Sequence, residues 1–395
     1  MKFFIGTVDI SSRIRDLTRE FNRRGISTLT ANRNRHYRYT SNVDYVFSDS
    51  YSYSFKGVRP KRLQSKLRTL CAKTFGIQAQ LLRRVINECD ASIFLWQSIL
   101  DDRSDYQLLR AAGHKIVTCF VGDDVRWRPA AAIEFHEAGI PIPPQFESLK
   151  SLKQKITYVR QAEKYSNLIF SRPDQSQLLT RPYHRMLPYV TPCDFTPKVN
   201  QRKHPLIIHP CSSDPIKGVD TVQAAIMQLR SCGLKFEYRR VTGVSQKETR
   251  RLMNEADIVI DQMHLPGGGK VSVEAMMSGA VAMSNMAYSS YTPLYSEPPP
   301  IVDVNTVTLK DQLHSLIVDQ PRRQRLAKLG PEFVEEFANI STFVDRILDQ
   351  LESASESKEA HFHPSFLQKH FLSLPTDAQE TFQPENLPPT LPRAA

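Results

Sequence analysis

The chain is most easily classified by what it lacks. No apolar run approaches the roughly 18 residues that a membrane-crossing helix needs. The apolar start, Lys2–Val8, is too short for the hydrophobic region of a secretory signal, and Asp9 interrupts it. The cysteines, at positions 71, 89, 119, 193, 211 and 232, include no Cys-x-x-Cys pair. That spacing argues against a zinc site or a disulfide framework and makes a reducing cytoplasm the expected setting. The first strand-to-helix turn has no Gly-x-Gly-x-x-Gly, so a dinucleotide fingerprint is missing. No carboxylate pair offers itself to a divalent metal or to two-carboxylate glycosidase chemistry, and neither metal nor cofactor is expected. Acidic residues are missing altogether from Lys56 to Arg84, a stretch holding nine basic ones.

What is present is ordinary for a soluble globular chain: 41% hydrophobic and 24% charged residues over 395 positions, enough for two domains with sizeable cores. The net charge of +11 is uneven. Residues 1–195 hold 31 basic and 18 acidic residues, a net of +13; residues 196–352 hold 18 of each, and the remainder is −2. A basic partner surface therefore belongs to the first half. Along 56–84 the apolar positions Leu63, Leu67, Leu70, Phe75, Leu81, Leu82 and Val85 make the pattern amphipathic. Two readings stand: surface helices with a solvated basic face, or docking to an anionic membrane or acidic acceptor. Nucleic acid is disfavoured, because aromatics do not interleave with these charges.

The hydrophobic pattern alternates strand and helix. Lys2–Val8 reads as a buried strand, followed by a helix capped by Ser11 or Ser12 with Ile14, Leu17 and Phe21 on one face, then a strand over Ile26–Thr30. Strands are expected over Cys89–Trp96 and from His114, the latter running into a loop with Asp123, Asp124 and Arg126. A helix over about Ser151–Tyr165 and a strand over Asn167–Phe170 follow, and Phe195–Pro205 reads as a linker. The second half repeats the alternation more cleanly. Strands are expected over Leu206–Pro210, Lys235–Val241, Asp257–Asp261, Ala280–Met283 and Ile301–Val304. Helices fall over Val219–Cys232 and Ser245–Glu255, the second opened by a Ser245/Glu248 capping box. Such βα alternation implies parallel sheets with ligands at the carboxyl ends of the strands.

The stretch from Ala256 to Ser284 organises the rest. Gly267, Gly268 and Gly269 remove every side chain just before a helix starting near Lys270, with Glu274 in its first turns and Gly279 at its exit. Bare amides at the positive end of a helix dipole form a favourable seat for phosphate. The plainer reading is a tight strand–helix turn with Glu274 as dipole partner.

This segment resembles the donor site of retaining GT-B glycosyltransferases, the group 1, family 4-like kind. The likeness takes in His209–Asp220, similar to that family's phosphate-contacting loop, together with Gly243, Val244 and Ser245, and spans roughly residues 186–345. It implies an α/β GT-B architecture: two Rossmann-like domains facing each other across a cleft, an acceptor-side domain over 1–195 and a donor domain over 196–352. Residues 353–395 are expected to be a loosely ordered Pro/Ser/acidic tail. The resemblance implies donor contacts from Ser212, Ser213, Lys217, Gly243, Val244, Gly267, Gly268, Gly269, Lys270 and Glu274, with Lys217 on the diphosphate and Glu274 on the ribose. The Phe120–Arg126 loop resembles one that faces the acceptor, which makes Asp123, Asp124 and Arg126 catalytic candidates beside a plain ion-pair reading.

Three positions depart from the family pattern. Pro266 stands where the first motif glutamate belongs, Ser212 replaces an arginine, and Val121 replaces a histidine. The implied activity is metal-independent, retaining hexosyl transfer from a nucleotide-diphospho-sugar to a glycan or lipid-linked acceptor. It would serve polysaccharide synthesis in the cytoplasm or at the inner membrane face. The alternative is a catalytically silent GT-B partner subunit that binds a sugar nucleotide or glycan.

Overall fold

The computed structural model describes residues 1–33, 42–47, 76–137, 147–200, 202–211, 217–287, 295–352 and 362–382. The chain divides into two compact units, one of residues 1–128, 147–186 and 344–395, the other of residues 129–146 and 187–343.

Among the described residues the first unit is built on seven strands: β1 (Lys2–Thr7), β2 (Ser27–Arg33), β3 (Tyr45–Phe47), β4 (Ala91–Leu95), β5 (Lys115–Cys119), β6 (Leu168–Ser171) and β7 (His184–Arg185). They lie in the order β3-β2-β1-β4-β5-β6-β7, and every pairing is parallel. Helices cover both faces of such a sheet, so its strands read as continuous apolar runs. Phe3, Phe4 and Ile5 of β1 and Ile93, Phe94 and Leu95 of β4 are fully buried. Each such side chain contributes about 1.5–3 kcal/mol on leaving water.

The described residues of the second unit form five strands: β8 (Leu206–Pro210), β9 (Glu237–Val241), β10 (Ile258–Ile260), β11 (Val281–Ser284) and β12 (Val302–Asp303). Their order is β12-β11-β10-β8-β9, again parallel throughout. From β8 the chain moves to one edge for β9, then returns to the other side of β8 for β10. The direction of winding therefore reverses between β8 and β10. In an open parallel sheet the loops leaving two such strands diverge to opposite faces and open a crevice at their carboxyl ends. Ile208, Val259 and Ala282 pack on one side of this sheet with Val273, Met276 and Val334 from the helices Lys270–Met277 and Gln320–Phe337. Ile207, Ile258 and Met283 pack on the other side with Val222, Ile226 and Leu313.

Several local expectations are met and others shift. Ser148 caps the helix Leu149–Tyr165, its hydroxyl accepting from the Ser151 amide at 3.3 Å. Ser12 stands at the cap of the helix Arg13–Arg23 but its side chain does not make the capping bond; the Ile14 amide donates to Asp9 at 3.1 Å. Of the capping box, Ser245 accepts the Glu248 amide at 3.2 Å while the Glu248 carboxylate turns to Arg251. The division between units falls at Met186/Leu187, and Phe195 lies in the core of the second unit. From Val344 the chain belongs to the first unit, where Asp345 pairs with Arg24 and the Leu351 carbonyl accepts from Lys115 at 2.7 Å. Within the expected tail, residues 362–382 carry the short helices Phe366–His370 and Thr376–Gln379, with Phe366, Leu367 and Phe371 buried. The proline and serine content of the tail masked this aromatic set. Residues 56–75 of the basic stretch lie outside the described residues. Its end forms the helix Ile77–Glu88, which buries Leu81, Leu82 and Val85 and exposes Arg83 and Arg84.

Candidate functional site

At the carboxyl ends of β8 and β10 the second unit brings together a lysine, an aspartate and the start of a helix. Lys217 is 8% exposed, and its ammonium forms an ion pair with Asp261, which is fully buried. The other carboxylate oxygen of Asp261 accepts from the amides of Gly269 (3.0 Å) and Ser272 (3.2 Å) and from the Ser272 hydroxyl (2.7 Å). An internal carboxylate thus sits at the N-terminus of the helix Lys270–Met277, where unsatisfied amides and the helix dipole favour negative charge. Burial raises the Asp261 carboxyl, but Lys217 and the hydrogen bonds outweigh it and hold the group below the usual carboxylate range. A Cβ on Gly269 would lie 3.1 Å from the Asp261 carboxylate, so the missing side chain is what lets that amide approach. The other two glycine amides also face inward: Gly267 donates to the Asn285 carbonyl at 2.7 Å and Gly268 to the Met286 sulfur at 3.0 Å. His209, fully buried at the end of β8, is pushed down to about 4 by burial and then by Lys217, and is a neutral imidazole at physiological pH.

One turn into the same helix, Glu274 is 4% exposed and held from outside. Its Oε1 accepts from Gln246 Nε2 (3.0 Å), Arg250 Nε (3.2 Å) and Arg250 Nη2 (3.0 Å). Arg250 also reaches Asp194 at 3.2 Å and lies over the Phe195 ring, 4.8 Å from its centroid. Gln246 and Arg250 are four residues apart on the helix Gln246–Glu255, so they share a face, and Gly243 and Val244 lead directly into that helix.

In the first unit the loop after β5 is a compact charged cluster. Asp124 folds back on its own loop, accepting from the amides of Val121 (3.1 Å) and Gly122 (2.8 Å), and burial pushes its carboxyl up to about 7. Arg126, also buried, bonds Asp123 at 3.0 Å and Asp174 at 2.9 Å. Asp123 takes a second guanidinium from Arg128 and keeps 29% of its side chain exposed. Burial raises the Asp123 carboxyl, but Arg126 and Arg128 outweigh it and the net direction is down.

The chain matches no protein-family model and no curated protein. Solved structures do match. A sucrose-phosphate synthase from Thermosynechococcus elongatus superposes with a TM-score of 0.58 at 12% identity, over 90% of this chain and 99% of that one. HepE of Anabaena, solved in complex with UDP-glucose, gives 0.52 at 12% identity over 89% and 99%. The fold is GT-B.

On this GT-B frame the donor-side candidates fall into three groups. Lys217, Gly269, Lys270 and Glu274 gather around the start of one helix, with the Lys270 ammonium 6.0 Å from the Tyr189 ring centroid. Gly243 and Val244 precede the helix that holds Glu274, and the amides of Gly267 and Gly268 turn away into the chain. Ser212 and Ser213 lie outside the described residues. Of the three candidates after β5, Asp123 and Arg126 are paired, while Asp124 closes its own turn. Asp261, Gln246, Arg250 and Asp194, which hold these candidates in place, are not among the contact residues expected from the sequence, although Asp261 lies within the stretch that carries the resemblance. The spacing of four between Gln246 and Arg250 was a usable signal, as was an aspartate ending an apolar strand.

Proposed function

We propose that this GT-B protein is a glycosyltransferase taking a hexosyl group from a nucleotide-diphospho-sugar to a glycan or lipid-linked acceptor. The observation that carries the reading is the meeting of Lys217, the N-terminus of the helix Lys270–Met277 and Glu274 at the switch point of the second sheet. Lys217 shares its charge between Asp261 and the donor diphosphate, the helix dipole adds to it, and Glu274 meets the ribose through Oε2. Preorganised positive charge of this kind stabilises the leaving diphosphate without a divalent ion. In a retaining front-face reaction the bond from the anomeric carbon to the phosphate oxygen breaks and the bond to the acceptor oxygen forms on the same face. The departing phosphate oxygen takes the acceptor's proton, so no strong protein base is needed. Asp123, the most accessible carboxylate of the first-unit cluster, orients an acceptor hydroxyl, while Asp124 and Arg126 hold its loop. The basic residues of 56–84 attach the protein to anionic lipid at the inner membrane face. The UDP-glucose complex of HepE makes UDP-sugars the first donors to try.

One observation favours a silent binding subunit instead. Asp261 already fills the anion seat, and Lys217 and Glu274 are both paired within the chain, beside Pro266 in place of the motif glutamate. Incubation with UDP-, GDP- and ADP-sugars and oligosaccharide acceptors separates the two. Release of nucleoside diphosphate with a product of retained anomeric configuration, read by nuclear magnetic resonance, supports the transferase. Binding without release supports the silent subunit.

A further inference from the structure

We infer that Arg250 is a positioning residue that makes the site selective for ribonucleotides, an inference that rests on the nucleotide reading of the second unit. Three donors converge on Oε1 of Glu274, two of them from the Arg250 guanidinium, at 3.0–3.2 Å. Arg250 is itself held on two further sides, by Asp194 at 3.2 Å and by the Phe195 ring. A guanidinium with its fork on one oxygen, its remaining nitrogen on a second carboxylate and its plane on an aromatic ring has little freedom left. The Glu274 carboxylate is therefore fixed in rotation, and no described residue donates to Oε2.

The charge balance explains why the arrangement favours a hydroxyl. A carboxylate only accepts, and a ribose hydroxyl only has to donate to it. Arg250 sets the direction from which Oε2 can accept and offsets the negative charge of Glu274 close to the donor diphosphate. Without the guanidinium, Glu274 keeps one of its three donors, Gln246, and its carboxylate turns more freely. Its hydrogen bond to the hydroxyl is then no longer prepared, while any repulsion from its charge falls on ribo and deoxy ligands alike and leaves their ratio unchanged. A nucleotide lacking the hydroxyl never gained from the prepared bond, so it loses far less.

The test is calorimetric titration of the full chain with UDP, GDP and ADP and, for whichever binds, its 2′-deoxy and 3′-deoxy forms. The parent is expected to prefer the ribonucleotide by about tenfold over at least one deoxy form, which is a lost hydrogen bond to a charged group. In Arg250→Met that ratio should collapse to within about twofold, mainly through loss of ribonucleotide affinity. Arg250→Lys, which restores a charge but not the fork, should fall between. A ratio kept in Arg250→Met, or equal loss for ribo and deoxy forms in a variant whose circular dichroism matches the parent, overturns the inference while leaving the nucleotide site standing. Absence of binding by the parent to all three diphosphates overturns the nucleotide reading and the inference together.

Discussion

Replacing Lys217 with methionine tests the chemistry at the centre of the site. The substitution keeps the length and most of the apolar stem but removes the ammonium, and it leaves Asp261 fully buried. Breaking a buried ion pair by removing one partner typically costs about 3–5 kcal/mol, because the remaining charge has no counter-ion. Asp261 would keep three donors, from Gly269 and Ser272, and the helix N-terminus they define. That compensation places the expected loss near the lower end, about 3 kcal/mol. For a unit of this size one kcal/mol moves Tm by about 2–4 °C, so a fall of about 6–12 °C is expected. Adding Asp261→Asn should recover part of it, since the neutral amide removes the uncompensated charge while its oxygen still accepts from Ser272. Urea unfolding followed by circular dichroism, across the two single variants and the double, isolates the pair by its non-additivity. The acid limb gives an independent reading. Asp261 has its folded value below its unfolded one, so its contribution is present above the ordinary carboxylate range and is lost as pH falls through the folded value. In Lys217→Met that acid loss should begin at higher pH. A single variant within about 1 kcal/mol of the parent, or a double variant less stable than Lys217→Met, would refute the account.

Further outcomes follow from the same geometry. Asp124, with its folded value raised to about 7, makes the protein less stable as pH rises from about 4 to 7, so Asp124→Asn should flatten that slope in thermal melts. His209 works the other way: its folded value near 4 lies below the unfolded one, so stability falls as pH drops below about 6.5, and His209→Gln should remove that loss. Gly279→Ala should destabilise by about 1–3 kcal/mol in urea, because φ there is +76° and a Cβ would stand 2.8 Å from the Lys198 carbonyl oxygen. Asp123→Ala should lower transfer turnover while leaving donor affinity by calorimetry within about twofold, the pattern of a group that acts only on the acceptor side. Liposome sedimentation should show binding to anionic but not zwitterionic vesicles; equal pelleting with both, or with neither, rejects the basic stretch as a membrane contact.

Much of the fold was legible because burial writes itself into composition. Leu206–Pro210 and Asp257–Asp261 read as parallel-sheet strands from their β-branched runs, and the structure forms β8 and β10 there. The glycine after a helical face was equally readable: Gly279 takes the left-handed exit expected of it. Lys217 and Glu274 were visible only through the family resemblance, since a lone lysine or glutamate carries no periodic signal. The residues that hold them left local signals, but the pairings themselves were not visible. Lys217 meets Asp261 across 44 positions and Glu274 meets Arg250 across 24, so these pairings exist only once the sheet has folded. The glycine loop shows the limit most clearly. Three glycines before a helix are compatible with a bound phosphate or with an internal anion, and the choice depends on Asp261, which pattern alone treats as the last residue of a strand. The reading of the Phe120–Arg126 loop was similarly divided, and Asp174, which clamps Arg126, comes from a different loop 48 residues away.

The most direct test of the central claim is a thermal-shift screen of the intact protein against UDP-, GDP- and ADP-sugars, repeated with Glu274→Gln. A ligand that binds only the folded state at about a hundredfold above its Kd adds about 2.7 kcal/mol. For a unit of this size that stabilisation corresponds to a rise in Tm of about 5–11 °C. Such a rise is expected for one nucleotide class, with a clearly smaller one in Glu274→Gln at the same concentration. No rise with any of the three, or an equal rise in the variant, would contradict a nucleotide-sugar site at the switch point of the second sheet.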